Sequence, residues 1–126
     1  MFLVIIFLIT FTANAKTYEP NWELYSETDV GIKYYLDTNS YLEKDNMIYL
    51  LTIQDTSSQG LDFKSIKMYF EFDCKEYRAR PRKVLGYSGE VGTGEEIDLT
   101  ENREWHWMFG QPKTPNGILL NILCGK

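Results

Sequence analysis

Residues 65–74 have the sequence Ser-Ile-Lys-Met-Tyr-Phe-Glu-Phe-Asp-Cys, in which apolar and polar side chains alternate. A period of two is typical of a β-strand with one face toward the core. The predicted core face carries Ile66, Met68, Phe70, Phe72 and Cys74, and the opposite face carries Lys67, Tyr69, Glu71 and Asp73. The stretch therefore predicts a strand over 65–73. Its pairing with neighbours is predicted to be antiparallel because the connections are short.

The sequence predicts further strands on both sides of this stretch. The chain contains 15% aromatic residues, which suit half-buried strands. Polar turns are predicted over 37–40 and 43–46, and a polar loop over 55–61. The six predicted strands span 22–26, 30–36, 47–53, 65–73, 78–87 and 105–109.

A short helix is predicted at the C-terminus. Thr114 is a suitable N-cap, and Pro115 follows it at the first helical position. Residues 118–124 then fit two helical turns, which Gly125 ends. Leu120 and Cys124 are four residues apart, so the helix can lay them on the sheet together. The predicted fold class is α+β, mainly an antiparallel sheet of about six strands.

Cys74 and Cys124 are the two cysteines of the chain. An even cysteine count in an exported protein favours a disulfide over free thiols. A metal site is disfavoured because there is no Cys-x-x-Cys motif and His106 is the one histidine. A bridge would close a loop of about 50 residues, which is worth about 4 kcal/mol in the chain-entropy model.

The N-terminus is predicted to be a signal peptide over residues 1–15. Residues 2–11 are almost entirely apolar, and Ala13-Asn14-Ala15 is a small-x-small cleavage site. A membrane anchor is the alternative, but the apolar run is about half the length of a spanning helix. No cysteine near the cleavage site could accept a lipid anchor. We expect residues 16–126 to form one exported domain that is periplasmic, secreted or associated with the outer surface.

The net charge of −5 argues against nucleic acid as a general partner. A basic stretch nevertheless stands out: Arg78, Arg80, Arg82 and Lys83. If the chain is extended there, the three arginines project to one side, where their guanidinium groups suit an acidic partner segment. The alternative is an exposed strand edge that charge protects against aggregation.

Other candidate sites have simpler interpretations. The glycines of residues 86–94 lack the spacing of phosphate-binding loops and predict a flexible hairpin loop. The acidic residues after them do not match a calcium loop and predict a solvated loop. On a strand, Trp105 and Trp107 would share a core face and His106 would be exposed. We predict no catalytic residues, no metal and no cofactor. The acidic residues are Glu90, Glu95, Glu96, Asp98, Glu101 and Glu104.

The order of several features is similar to one known family. A tryptophan near the start of the mature chain is followed by a Tyr-x-Asp-Thr-x-Ser stretch and an apolar strand. A Ser-x-Lys strand ending in Asp-Cys, a group of arginines, a tryptophan strand and a terminal cysteine come next. The residues concerned are Trp22, Tyr35, Asp37, Thr38, Ser40, Ser65, Lys67, Asp73, Cys74 and Cys124. From about residue 22 to residue 124, the chain resembles the surface-adhesin protein E family of Gram-negative bacteria.

The resemblance implies a curved antiparallel sheet whose C-terminal helix is held on the concave face by a Cys74–Cys124 bridge. It also implies a non-catalytic binding module for host matrix or serum proteins such as vitronectin and laminin. The lack of a lipidation cysteine favours an alternative, a periplasmic structural or inhibitory domain without a host ligand. The oligomeric state is left open.

Overall fold

The computed structural model describes residues 2–6, 17–100 and 105–125. The predicted cleavage site at 13–15 and the acidic residues Glu101 and Glu104 lie outside these ranges. Residues 2–6 have no regular secondary structure, and their apolar side chains are exposed. The signal peptide therefore stays a prediction.

An antiparallel sheet makes up most of the described chain, and the α+β prediction is confirmed. All six predicted strands are present, with two more that the sequence did not predict. In the described residues, the strands pair in the order β1-β2-β4-β5-β6-β7, with β3 beside β4 and β8 beside β6. The bounds are β1 Trp22–Glu27, β2 Lys33–Asp37, β3 Leu42–Lys44, β4 Met47–Asp55, β5 Ser65–Asp73, β6 Arg78–Tyr87, β7 Glu96–Asp98 and β8 Met108–Phe109.

Strand β3 was missed because the predicted turn over 43–46 was too long. The turn consists of Asp45 and Asn46, whose φ angles are 53° and 63°. Two central residues with positive φ form the type of turn that matches the twist of a hairpin, and Asp and Asn tolerate that conformation. Leu42 consequently pairs with Tyr49 across the hairpin.

Strand β6 runs through Pro81, although proline cannot donate a hydrogen bond to a neighbouring strand. A bulge makes this possible: Tyr69 lies opposite Lys83 and Phe70 opposite Pro81, so Arg82 is the extra residue. Strand β6 pairs with β5 on one side and with β7 and β8 on the other. On that second side, however, only Arg78–Ala79 and Leu85–Tyr87 have strand partners among the described residues. The interpretation of the basic stretch as an exposed edge therefore stays open for residues 80–83.

Helix α1 spans Pro115–Cys124, with both predicted ends confirmed. The Thr114 hydroxyl accepts a hydrogen bond from the Gly117 amide at 3.1 Å, and Gly125 ends the helix at φ 70°. Gly117 is also required sterically, since a Cβ atom there would lie 1.9 Å from the Gln111 carbonyl oxygen. The helix can thus start only with the preceding turn packed directly against it.

The core lies between α1 and one end of the sheet. The disulfide between Cys74 and Cys124, with 5.3 Å between the Cα atoms, ties the end of the helix to the end of β5. The predicted bridge is therefore confirmed. The residues of the core are Ile48, Leu50, Phe70, Phe72, Ala79, Leu119 and Leu120. We call this side of the sheet the helix face and the other side the arginine face.

Candidate partner-binding surface

The basic stretch lies together on the arginine face. Arg78 and Arg80 point to this face because they lie opposite Asp73 and Glu71 of β5. Simple alternation would send Lys83 to the helix face. The bulge at Arg82 instead places Lys83 opposite Tyr69, which is on the arginine face. The structure therefore brings all four predicted contact residues to one side of the sheet.

Two acidic residues neutralise part of this charge. Arg80 Nη2 lies 3.1 Å from Glu71 Oε1, and Arg78 Nε lies 3.1 Å from Asp73 Oδ2. Arg82 approaches the second oxygen of Glu71 at 3.6 Å. Strand alternation predicts Glu71 and Asp73 outside the core, but both are buried because the arginine side chains cover them. Their burial needs these partners, since an unpaired buried carboxylate is costly.

Trp107 stacks on the same arginines. The guanidinium carbons of Arg78 and Arg80 each lie 4.3 Å from the centre of its ring. Stacking and ion pairing together hold the two side chains in place. Trp105 lies in the wall of a cavity on the helix face and also lines a hollow with Arg80 and Arg82. The prediction that both tryptophans share a core face is therefore wrong, because only residues 108–109 of the predicted strand are paired and both rings are half-buried.

Two tyrosines extend this surface across β4 and β5. The rings of Tyr49 and Tyr69 stack with 6.1 Å between centres and 15° between planes. Tyr49 lies opposite Glu71 in the sheet. Burial raises the pKa of Tyr49, and the Glu71 carboxylate beside it, which also accepts a hydrogen bond from it, raises it further. The phenol therefore stays a neutral donor at physiological pH.

We call these residues the candidate surface. Its chemistry suits contact with a protein, because flat aromatic rings lie beside cations that can reach a partner. Arg82, with 51% of its side chain exposed, and the exposed Lys83 are available for contact, whereas Arg78 and Arg80 are 29% exposed and already paired. The candidate surface consists of Tyr49, Tyr69, Glu71, Asp73, Arg78, Arg80, Arg82, Lys83 and Trp107.

The acidic and glycine-rich segments serve local structure. Ser65 donates a hydrogen bond to the Gly89 carbonyl at 2.7 Å and accepts one from the Gly92 amide at 2.8 Å, which holds the glycine-rich loop against β5. Asp98 accepts a hydrogen bond from the Thr100 amide, and its hydrogen bonds with Thr100 lower its pKa. Among the described residues, no group of three or more His, Cys, Asp or Glu side chains could hold a metal ion.

The ion pairs were missed, but the sequence contained a signal for them. In an antiparallel hairpin, residues at equal distances from the turn face each other. Around the turn at 74–77, this rule pairs Asp73 with Arg78 and Glu71 with Arg80, which are opposite charges in both cases. Trp107 carries no comparable signal, since its contact depends on how a later segment returns to β6.

Known proteins share this architecture. Two crystal structures of protein E from Haemophilus influenzae superpose on the chain. Crystal form II has a TM-score of 0.64 and 17% identity, covering 73% of this chain and 80% of that one. The selenomethionine form has a TM-score of 0.66 and 16% identity, covering 86% and 94%. No curated protein sequence matches the chain.

No helix in the described ranges is long and apolar enough to cross a membrane. The family model named surface-adhesin protein E matches residues 22–125, which is most of the chain. Since that match includes all eight strands, the helix and both cysteines, the chain belongs to the surface-adhesin protein E family.

Proposed function

We propose that this protein is an exported, non-catalytic binding module that contacts a protein partner through the candidate surface. One observation carries the proposal: two tyrosines, a tryptophan and three arginines lie together on one face of the sheet. Tyr, Trp and Arg are the residue types most enriched at the energetic centres of protein interfaces. Membership of a surface-adhesin family supports both the export and the binding role.

The partners we propose are host matrix or serum proteins, with vitronectin and laminin as the first to test. The exposed cations Arg82 and Lys83 favour an acidic segment of the partner at the contact. Arg78 and Arg80 would hold Trp107 and the two carboxylates in a fixed arrangement. A preorganised surface loses less conformational entropy on binding.

The test is solid-phase binding of residues 16–126 to vitronectin and laminin. Replacing Arg82 and Lys83 by alanine should weaken binding about five- to tenfold, since exposed interfacial charges are each worth a modest amount. Raising NaCl from about 50 to about 500 mM should also weaken binding by the unmodified protein. The matched control removes two exposed cations elsewhere, Lys33 and Lys64. Equal binding by the two double variants would remove the site assignment.

Cell fractionation decides between surface display and the periplasmic alternative. The proposal predicts that the mature protein is accessible to an externally added protease on intact cells. Complete protection until the outer membrane is opened would instead support a periplasmic structural or inhibitory domain and rule out direct adhesion.

A further inference from the structure

A cavity remains on the helix face, beside the core and on the other side of the sheet from the candidate surface. Helix α1 covers the part of the sheet around Leu50 and Phe70, but it leaves the opposite ends of the same strands open. There Trp105 and the start of the helix form the walls above the sheet. The cavity has a volume of about 300 Å³, which is at the lower end of the range for small-molecule sites.

Among the described residues, the lining of the cavity carries no charge, although a quarter of the chain consists of charged residues. Tyr25 and Tyr34 are the ionisable groups of this described lining. Burial raises the pKa of both phenols, so they remain neutral at physiological pH. An ion would lose its hydration there without gaining a counter-charge. The cavity therefore selects for an uncharged ligand.

Aromatic and aliphatic groups make up most of the walls. Tyr25 and Tyr34 lie at one end with their ring centres 6.2 Å apart, and Trp105 lies at the other. Ile66 and Met68 supply the aliphatic floor from the central strand β5. Walls of this kind bind flat or branched apolar groups through burial and ring contacts.

Two side-chain amides line the cavity: Asn116, which donates to the Met108 sulfur at 3.8 Å, and Gln54, which can orient a ligand. Gln54 lies between Tyr34 and Ile66 in the sheet, and its side-chain amide has no hydrogen-bond partner among the described residues. The Thr52 hydroxyl, by contrast, donates to the Met68 carbonyl at 3.3 Å. An amide has both donor and acceptor atoms, so it can pair with an amide, a hydroxyl or a carbonyl group of a ligand.

We propose that this cavity binds a small, uncharged, mainly apolar ligand that carries one hydrogen-bonding group for Gln54. The central strands and a disulfide-tethered helix form its walls, so the cavity exists before binding. A neighbouring hollow shares Ile66, Met68 and Trp105, but Asp98 lies in its wall. The uncharged body of the ligand is therefore assigned to the first cavity.

The test uses N-phenyl-1-naphthylamine, a neutral aromatic dye with one N–H group that fluoresces when it enters an apolar site. The oxidised mature protein should bind it saturably, with one dye per chain. Replacing Met68 by tryptophan fills the cavity and should weaken binding by about tenfold or more, equivalent to about 1.4 kcal/mol or more. The control, Tyr41→Trp, adds the same ring at an exposed position outside both the cavity and the candidate surface and should leave binding unchanged.

Circular dichroism and thermal unfolding establish that each variant is folded, and Ile66→Phe serves as the second filling variant if Met68→Trp is not folded. Absent or non-saturable dye binding would overturn the proposal, as would equal binding by the folded filling variant and the control. A second copy of the chain is the competing occupant. If dye binding fell as the protein dimerised at higher concentration, the cavity would belong to a dimer contact and the small-ligand proposal would fail.

Discussion

The two faces of the sheet use the same aromatic residues in different ways. Each has two neighbouring tyrosines and one tryptophan from the segment that follows residue 104. On the helix face, Tyr25, Tyr34 and Trp105 line an uncharged cavity. On the arginine face, Tyr49, Tyr69 and Trp107 lie among four cations and two buried carboxylates. In the two proposals, the charges around the aromatic rings, rather than the rings themselves, determine which kind of partner each face suits.

The faces also differ in what holds them together. The helix face depends on burial of apolar groups and on the covalent tie at Cys124. On the arginine face, the short 3-10 helix Glu90–Gly92 packs near Ile53 and Lys67. Cross-strand ion pairs and stacking order the side chains of the candidate surface. Changes that act on one face should therefore leave the other largely intact, and the following predictions use this independence.

The largest effect is expected from loss of the disulfide. Replacing Cys74 and Cys124 by alanine should lower the free energy of unfolding by about 4 kcal/mol, because a loop of about 50 residues is no longer closed in the unfolded chain. Hydrogen exchange should show the amides of α1 losing protection before those of β5 and β6. A reduced protein with an unchanged melting temperature would contradict this role of the bridge.

A comparable loss is expected when Gly117 is replaced by alanine. The added Cβ atom would meet the Gln111 carbonyl, so the start of α1 must move and the free energy of unfolding should fall by about 3 kcal/mol. Asn121→Ala, on the exposed side of the same helix, is the control and should change stability by no more than about 0.5 kcal/mol. Similar melting temperatures for the two variants would show that the close contact is not required.

On the arginine face, Glu71→Gln removes the charge that holds Arg80 and Arg82. We expect a loss of about 2 kcal/mol in urea unfolding, since a charge-assisted buried pair becomes a neutral one. Glu43→Gln in β3 changes an exposed carboxylate and should have little effect. The helix-face cavity should still bind the dye in both variants, and a parallel loss of dye binding in Glu71→Gln would show that the faces are coupled.

The smallest effect concerns alkaline pH. Burial raises the pKa of Tyr87 to about 12, and the Glu96 carboxylate, which accepts a hydrogen bond from its hydroxyl, contributes. The neutral phenol is thus favoured in the folded protein. Its contribution to stability is fully present below about pH 10, which is the pKa of tyrosine in unfolded chains, and is lost as the pH rises toward 12. In urea unfolding between pH 9 and 11.5, the free energy of unfolding should fall less steeply with pH in Tyr87→Phe than in the unmodified protein. The exposed Tyr41→Phe is the control, and the same pH dependence in both variants would refute this role of Tyr87.

The five longest strands, β1, β2, β4, β5 and β6, and the helix could be predicted because periodic burial and cap residues are local signals. Of the sixth predicted strand, 105–109, only the last two residues form β8. Strand β7 could not be predicted, since Glu96–Asp98 is exposed on both faces and has no apolar alternation. The bulge at Arg82 could not be predicted either, because it depends on the register between β6 and β5. That one extra residue is what brings Lys83 to the arginine face.

Hydroxyl-radical footprinting of the mature protein, free and bound to vitronectin, compares the two faces directly because it reports on individual aromatic side chains. We predict that binding protects Tyr49, Tyr69 and Trp107 while Tyr25 and Tyr34 keep their reactivity. Protection of the second set alone, or no protection at a saturating partner concentration, would contradict the assignment of partner binding to the arginine face.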